Sequence, residues 1–150
     1  MISKVISSFL LGLIFVLLLD FLLFIGIKIN YIDIYNIKVY YNPLFVDNQP
    51  YIALFVLSII FGYFISSKKR LKLFAYIYIV LIFLSLSTFY KPIGKNLGEL
   101  LFKRDSLSFK VGKTAFKGDL FYRGRRYTYI FRKDINKMIK LPNNDLLYSK

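Results

Sequence analysis

The chain has 150 residues, of which 57 % are hydrophobic and 19 % aromatic, and a formal net charge of +14. It contains no cysteine and no histidine, which excludes disulfide frameworks, thiolate nucleophiles, imidazole bases and the commonest soft-metal ligands. So high an apolar fraction in so short a chain exceeds that of a soluble domain and points to a membrane protein.

Three apolar runs, residues 5–27, 51–66 and 73–90, contain a single side chain that is ionised at neutral pH when exposed to water, Asp20. A helix rises about 1.5 Å per residue and a hydrocarbon core is about 30 Å thick, so roughly 17 to 25 apolar residues make a crossing. The first and third runs meet that length and the second is marginal. The expected fold is therefore membrane α-helical: three transmembrane helices in residues 1–90, followed by a small β-hairpin-rich α+β extramembrane domain in residues 91–150. The first run is too long for a signal peptide and lacks a small-residue cleavage site, so it reads as an uncleaved anchor.

Residues 28–50 form an extramembrane loop between the first two spans. Within it residues 37–41 alternate as a half-buried strand does, and Asn42-Pro43 reads as a turn. Asp47, Asn48, Gln49 and Pro50 suit the start of the second helix. Residues 67–72 form a tight hairpin carrying Lys68, Lys69, Arg70 and Lys72, the cluster expected to set topology. Cations lie on both sides, but the densest cluster in the shortest loop favours a cytoplasmic N-terminus and an outside C-terminal domain, in the cytoplasmic (inner) membrane of a bacterium. Either orientation puts the first loop and the C-terminal domain on the same side, where they can pack together.

After Tyr90 residues 91–98 leave the membrane, and residues 96–104 read as a short interfacial helix. From Leu107 the period becomes two, with Leu107, Phe109 and Val111 on one face. A reversal is expected at Gly112-Lys113 and a turn at 117–119, then a hairpin of 120–123 and 127–132. Asp134 is expected to cap a final helix through Lys140, and Pro142 to start a mobile tail. About sixty residues bury too little surface to be comfortable alone, so this unit needs support from the first loop, the membrane or a partner.

Two constellations carry functional expectations. Asp20 lies inside the first span, where an unpaired carboxylate is expensive, and depth counting places Ser58 and Ser85 beside it as an intramembrane polar cluster. It serves either as interhelical glue, as the mate of a cation in a partner's helix, or as part of an ion path. The C-terminal domain carries 15 Lys and Arg against 5 acids. Arg123, Arg125 and Arg126 sit there among Tyr122, Tyr127 and Tyr129, a docking patch of the composition that polyanion surfaces use. Isoleucine, lysine, asparagine, tyrosine and phenylalanine are what an A/T-rich genome encodes, so part of the basic charge carries no information about partners.

No residue set suits catalysis, since no base stands ready beside a nucleophile. Gly112-Lys113-Thr114 lacks the spacing of a phosphate-binding loop. The expectation is a non-catalytic accessory, assembly or scaffold subunit of a larger envelope complex, with no cofactor. The alternatives are a homo-oligomeric channel or transporter component using Asp20, and a membrane-tethered polyanion-binding protein. Expected partners are the bilayer with its anionic headgroups and other integral membrane proteins. Self-association is compatible with the sequence, and nucleic acid is disfavoured.

Overall fold

The computed structural model describes residues 2–112 and 114–149. Helix α1 (Ile2–Ile27) runs on through a π-helical turn, Lys28–Ile32. A short helix α2 (Tyr41–Asp47) precedes α3 (Tyr51–Ile65), and α4 (Lys68–Ser87) and α5 (Lys91–Phe102) complete the helical part. Five strands follow: β1 (Arg104–Val111), β2 (Thr114–Arg123), β3 (Tyr127–Arg132), β4 (Lys137–Pro142) and β5 (Leu146–Ser149). They form one antiparallel sheet in the order β4-β3-β2-β1-β5.

Among the described residues two helices are long and apolar enough to cross a membrane, the 31-residue stretch Ile2–Ile32 and the 20-residue α4. The middle run differs from the sequence reading. As α3 it has 15 residues, about 22 Å at helical rise, and it meets α2 at an 80° bend. The spans number three only if this bent pair counts as one. Asn42 and Pro43 do not make a turn but lie in the first helical turn of α2, where a missing N–H goes unnoticed. Residues 37–40 join no ladder: Ile37 is buried and its alternation reflects packing against the core rather than strand pairing. Asn48 does not cap α3 either; its amide donates back to the Leu44 carbonyl at the end of α2 (2.7 Å).

Helices α1 and α3 approach closely through small residues. A Cβ on Gly12 would lie 2.0 Å from the Ser58 carbonyl oxygen, and one on Gly62 would lie 2.3 Å from that of Ser8. Ser58, Gly62 and Ser66 recur every fourth residue on α3 and face Ser8 and Gly12 on α1, a small-residue seam of the kind that lets membrane helices meet backbone to backbone. The hydroxyls of Ser8 and Ser66 bond directly. This contact puts the N-terminus and the start of α4 at one end of the bundle. The cations Lys68, Lys69, Arg70 and Lys72 are therefore not in a loop but on the first turns of α4, with the Arg70 guanidinium 4.3 Å from the Tyr63 ring centroid.

The opposite end holds the sheet. One core joins Phe24, Ile27, Tyr31, Ile32, Ile37 and Leu44 of the helical part to Phe121, Tyr122 and Tyr129 of the sheet. Consecutive residues Phe121 and Tyr122 both enter it because the β2–β3 register shifts between Leu120 and Tyr122, and such a bulge re-aims side chains that alternation would send to opposite faces. The other face of the sheet has its own cluster, Leu107, Phe109, Leu120 and Ile130. Hydrogen bonds pin the junction. Tyr31 donates to the Phe121 carbonyl (2.8 Å) and Tyr129 to the Lys38 carbonyl (2.9 Å). The Asn30 amide donates to the carbonyls of Thr88 and Phe89 (both 2.9 Å), satisfying acceptors that the end of α4 leaves open. Tyr35 donates to Glu99 (2.6 Å), and burial together with that carboxylate pushes its hydroxyl up to about 12.

The C-terminal elements also depart from the sequence reading. Helix α5 begins at Lys91, five residues earlier than expected, with Pro92 in its first turn. Residues 117–119 are the middle of β2 rather than a turn. Residues 134–140 do not form a helix: a tight turn with Asn136 at φ 49° leads into β4, because Ile139 and Met138 find partners across β3 that a lone exposed helix would lack. Residues 143–149 continue as a short 3₁₀ turn and β5 rather than a loose tail. Gly112, at φ 57°, opens the reversal between β1 and β2, while Lys113 lies outside the described residues.

Asp119 braces this sheet. Its carboxylate accepts the Ser106 N–H (2.8 Å), where β1 bulges with Ser106 at φ 57°, and lies 3.0 Å from Lys133 Nζ. Burial acts to raise its pKa, but the Ser106 amide, Lys133 and Lys103 together hold it below the ordinary value of 3.8. A depressed carboxylate stabilises the fold above its unfolded-state value and loses that contribution as pH falls through the folded one. Acidifying the solubilised protein below pH 3.8 is therefore expected to lower its melting temperature, and Asp119→Asn to melt lower already at neutral pH while losing no further stability through this group on acidification.

Candidate functional site

The tip of the β2–β3 hairpin reaches back over α2 and encloses a groove of about 480 Å³ with it. Four cations line it, Lys38, Arg125, Arg126 and Lys140, with tyrosines 40, 122, 127 and 129 and one carboxylate, Asp47. The tip is held by an unexpected residue. Asn143 donates its side-chain amide to the carbonyls of Gly124 (2.7 Å) and Arg125 (3.0 Å) and its backbone N–H to that of Arg126 (2.9 Å), and accepts the Thr128 hydroxyl (2.7 Å). What reads as a mobile tail is a clamp.

Of the six residues of the sequence-derived docking patch, five line the groove. Their roles differ. Tyr122 and Tyr129 are buried, 1 % and 5 % exposed, and form the floor and shared core rather than a surface. Tyr127 is 43 % exposed, with Lys140 Nζ 3.7 Å from its ring centroid. Arg126 and Lys38 are exposed. Arg125 pairs with Asp47 at 2.5 Å, yet neither buried oxygen of that carboxylate has an aligned hydrogen-bond donor. Arg123 is exposed and stands outside the groove lining.

The groove sits at the end of the apolar part of α1. Tyr41 donates to the Phe21 carbonyl (3.0 Å), and the Phe45 ring lies 5.6 Å from Phe24 and 6.3 Å from Phe21. Val46, Tyr51 and Ile52, beside Asp47, are 44 %, 63 % and 84 % exposed. No match arises. No protein-family model fits this chain, and comparison with curated proteins and with solved structures finds no similar one.

The intramembrane set is only partly brought together. Asp20 and Ser85 line one cleft of about 440 Å³ with Ser87 and Thr88, walled by α1, α3, α4 and α5. Ser58 does not line it: fully buried, it packs against Gly12, and its hydroxyl donates to the Leu54 carbonyl of its own helix (2.6 Å). Depth counting sees how far along a helix a residue lies but not its azimuth, which here points Ser58 at the α1–α3 seam. Sequence reasoning missed Lys38, Tyr40, Asp47, Lys140 and Asn143, which come from three separate segments. The small residues of the seam had a signal, the four-residue spacing of Ser8 and Gly12 and of Ser58, Gly62 and Ser66.

Proposed function

We propose that this protein is a non-catalytic accessory subunit of a larger membrane assembly, which uses its extramembrane groove as a docking surface for an anionic partner. One observation carries the reading: cations and tyrosines from the first loop, the β2–β3 hairpin and β4 converge on a groove whose floor is the core shared by helices and sheet. Such a groove is preorganised, so little ordering entropy opposes docking. In this reading α2 and α3 make the middle crossing of a three-span bundle in the cytoplasmic membrane of a bacterium. The N-terminus and the cations of α4 face the cytoplasm and the sheet faces outward, as the retention of short, lysine-rich segments favours.

The test is charge reversal at Arg126 and Lys140, both exposed. The double variant Arg126→Glu, Lys140→Glu is expected to insert and fold as wild type. Its co-purification with partner proteins from native membranes should fall, and the wild-type association should weaken as salt approaches about 1 M, where screening acts within about 3 Å. Association that ignores both salt and charge reversal rejects the docking role. A second reading, a homo-oligomeric channel or transporter component, draws on the Asp20 cleft. It requires flux in liposomes containing this protein alone, lost on Asp20→Leu.

A further inference from the structure

The level of the groove in the molecule narrows its ligand. α2, which forms one wall, packs on Phe21 and Phe24 of the apolar run of α1. Directly beside it Val46, Tyr51 and Ile52 expose apolar surface of the kind that lies against lipid. Helix α5, whose Leu97 and Phe102 pack on the same core, exposes Ile93 (43 %), Leu100 (73 %) and Leu101 (44 %) beside Lys91 and Lys95, the build of a helix lying in the interface. The groove therefore opens where hydrocarbon gives way to headgroups. Its lining carries four cations against a single carboxylate, and that carboxylate is already engaged by Arg125. Lys38, Arg126 and Lys140 are left to meet an anion from outside.

We propose that the groove is a binding site for the headgroup of an anionic phospholipid of the glycerol-phosphate type, with Lys38, Arg126 and Lys140 receiving the phosphate. This rests on the reading of the groove as an anion-docking surface and names the bilayer itself as the source. Exposed lysines and an arginine suit a phosphodiester, since each keeps donors free for its oxygens. Tyr40, 85 % exposed, and Tyr127 stand at the rim, where amphipathic rings sit at headgroup level. The lipid thus helps seat the sheet on the membrane, and the groove reports the composition of its own leaflet.

The experiment uses the full-length protein, reconstituted in nanodiscs of phosphatidylcholine with or without phosphatidylglycerol, then released into mild detergent and weighed intact by native mass spectrometry. Wild type should retain phosphatidylglycerol in preference to phosphatidylcholine. The triple variant Lys38→Gln, Arg126→Gln, Lys140→Gln changes only exposed side chains, so it should fold, which an unchanged melting temperature in phosphatidylcholine verifies. It should lose that preference by about tenfold or more, as three cations at a headgroup surface imply. Undiminished retention by the folded variant overturns the lipid site. A parallel titration with polyglutamate then separates the two failures. If the variant loses polyglutamate while keeping phosphatidylglycerol, the headgroup assignment falls and the anion-docking reading stands; if it loses neither, both fall.

Discussion

Replacing Gly12 by leucine is expected to lower the stability of the helical bundle by about 3 kcal/mol or more, the upper end of what forced overpacking costs. The first added carbon alone would sit 2.0 Å from the Ser58 carbonyl oxygen and 2.6 Å from the Gly62 backbone nitrogen, atoms that cannot rotate away. Lipid is as apolar as leucine, so no hydrophobic gain from the larger side chain compensates the lost contact between helices. The Ser8–Ser66 hydroxyl bond, one helical turn further along the same seam, should break with it. The measurement is thermal unfolding in detergent, with Leu10→Ala, on the exposed side of α1, as the control that leaves it unchanged. A Gly12→Leu protein melting with wild type would show that α1 and α3 do not pack along this seam.

Tyr31→Ala should release the sheet from the helices. The Tyr31 side chain is fully buried, its ring stacks parallel to Phe121 with centroids 6.4 Å apart, and its hydroxyl donates to the Phe121 carbonyl. Gly98 of α5 presses on the same ring, since a Cβ there would lie 2.3 Å from Tyr31 Cγ. Truncating a large buried aromatic costs about 3 to 5 kcal/mol, and it opens the core on which the sheet depends, because a unit of its size is marginal alone. Trypsin should then cut among the cations of residues 104–140 while the helices stay intact in detergent. Tyr31→Phe keeps the ring and loses one hydrogen bond, so it should cost only about 1 kcal/mol. A Tyr31→Ala protein as trypsin-resistant as wild type would refute the shared core.

Much of the helical part was legible because it rests on length and apolar content. The first and third runs announce themselves, and Asp20 stands out because they hold no Lys, Arg, Glu or other Asp. Residues 127–132 were legible as a strand for a similar reason, their aromatic and β-branched side chains alternating across both faces of a sheet. The misreadings share one cause. Residues 37–41 and 134–140 are short segments whose local pattern fits two states, and the choice fell to partners far away in the chain. Ile139 opposes Ile130 across β3–β4, and the Lys38 carbonyl takes a bond from Tyr129. Asn143 looked like a breaker after Pro142, yet its side-chain amide found the carbonyls of two tip residues and its backbone N–H that of a third, about twenty positions earlier.

The candidate site shows the same division. That arginines and tyrosines cluster near residue 125 is a property of the chain order. That Tyr122 and Tyr129 turn inward while Lys38 and Lys140 join Arg126 depends on a bulge in β2 and on α2 lying against the hairpin tip. Composition and hydropathy alone settled that long apolar helices and a basic, strand-forming C-terminal region exist, because solvent preference and side-chain period are local quantities. Which cations share a groove, which serine faces Asp20 and whether the middle run is straight or bent were decided by the tertiary structure. Azimuth, register and bend angle are set by contacts between segments that no local window contains.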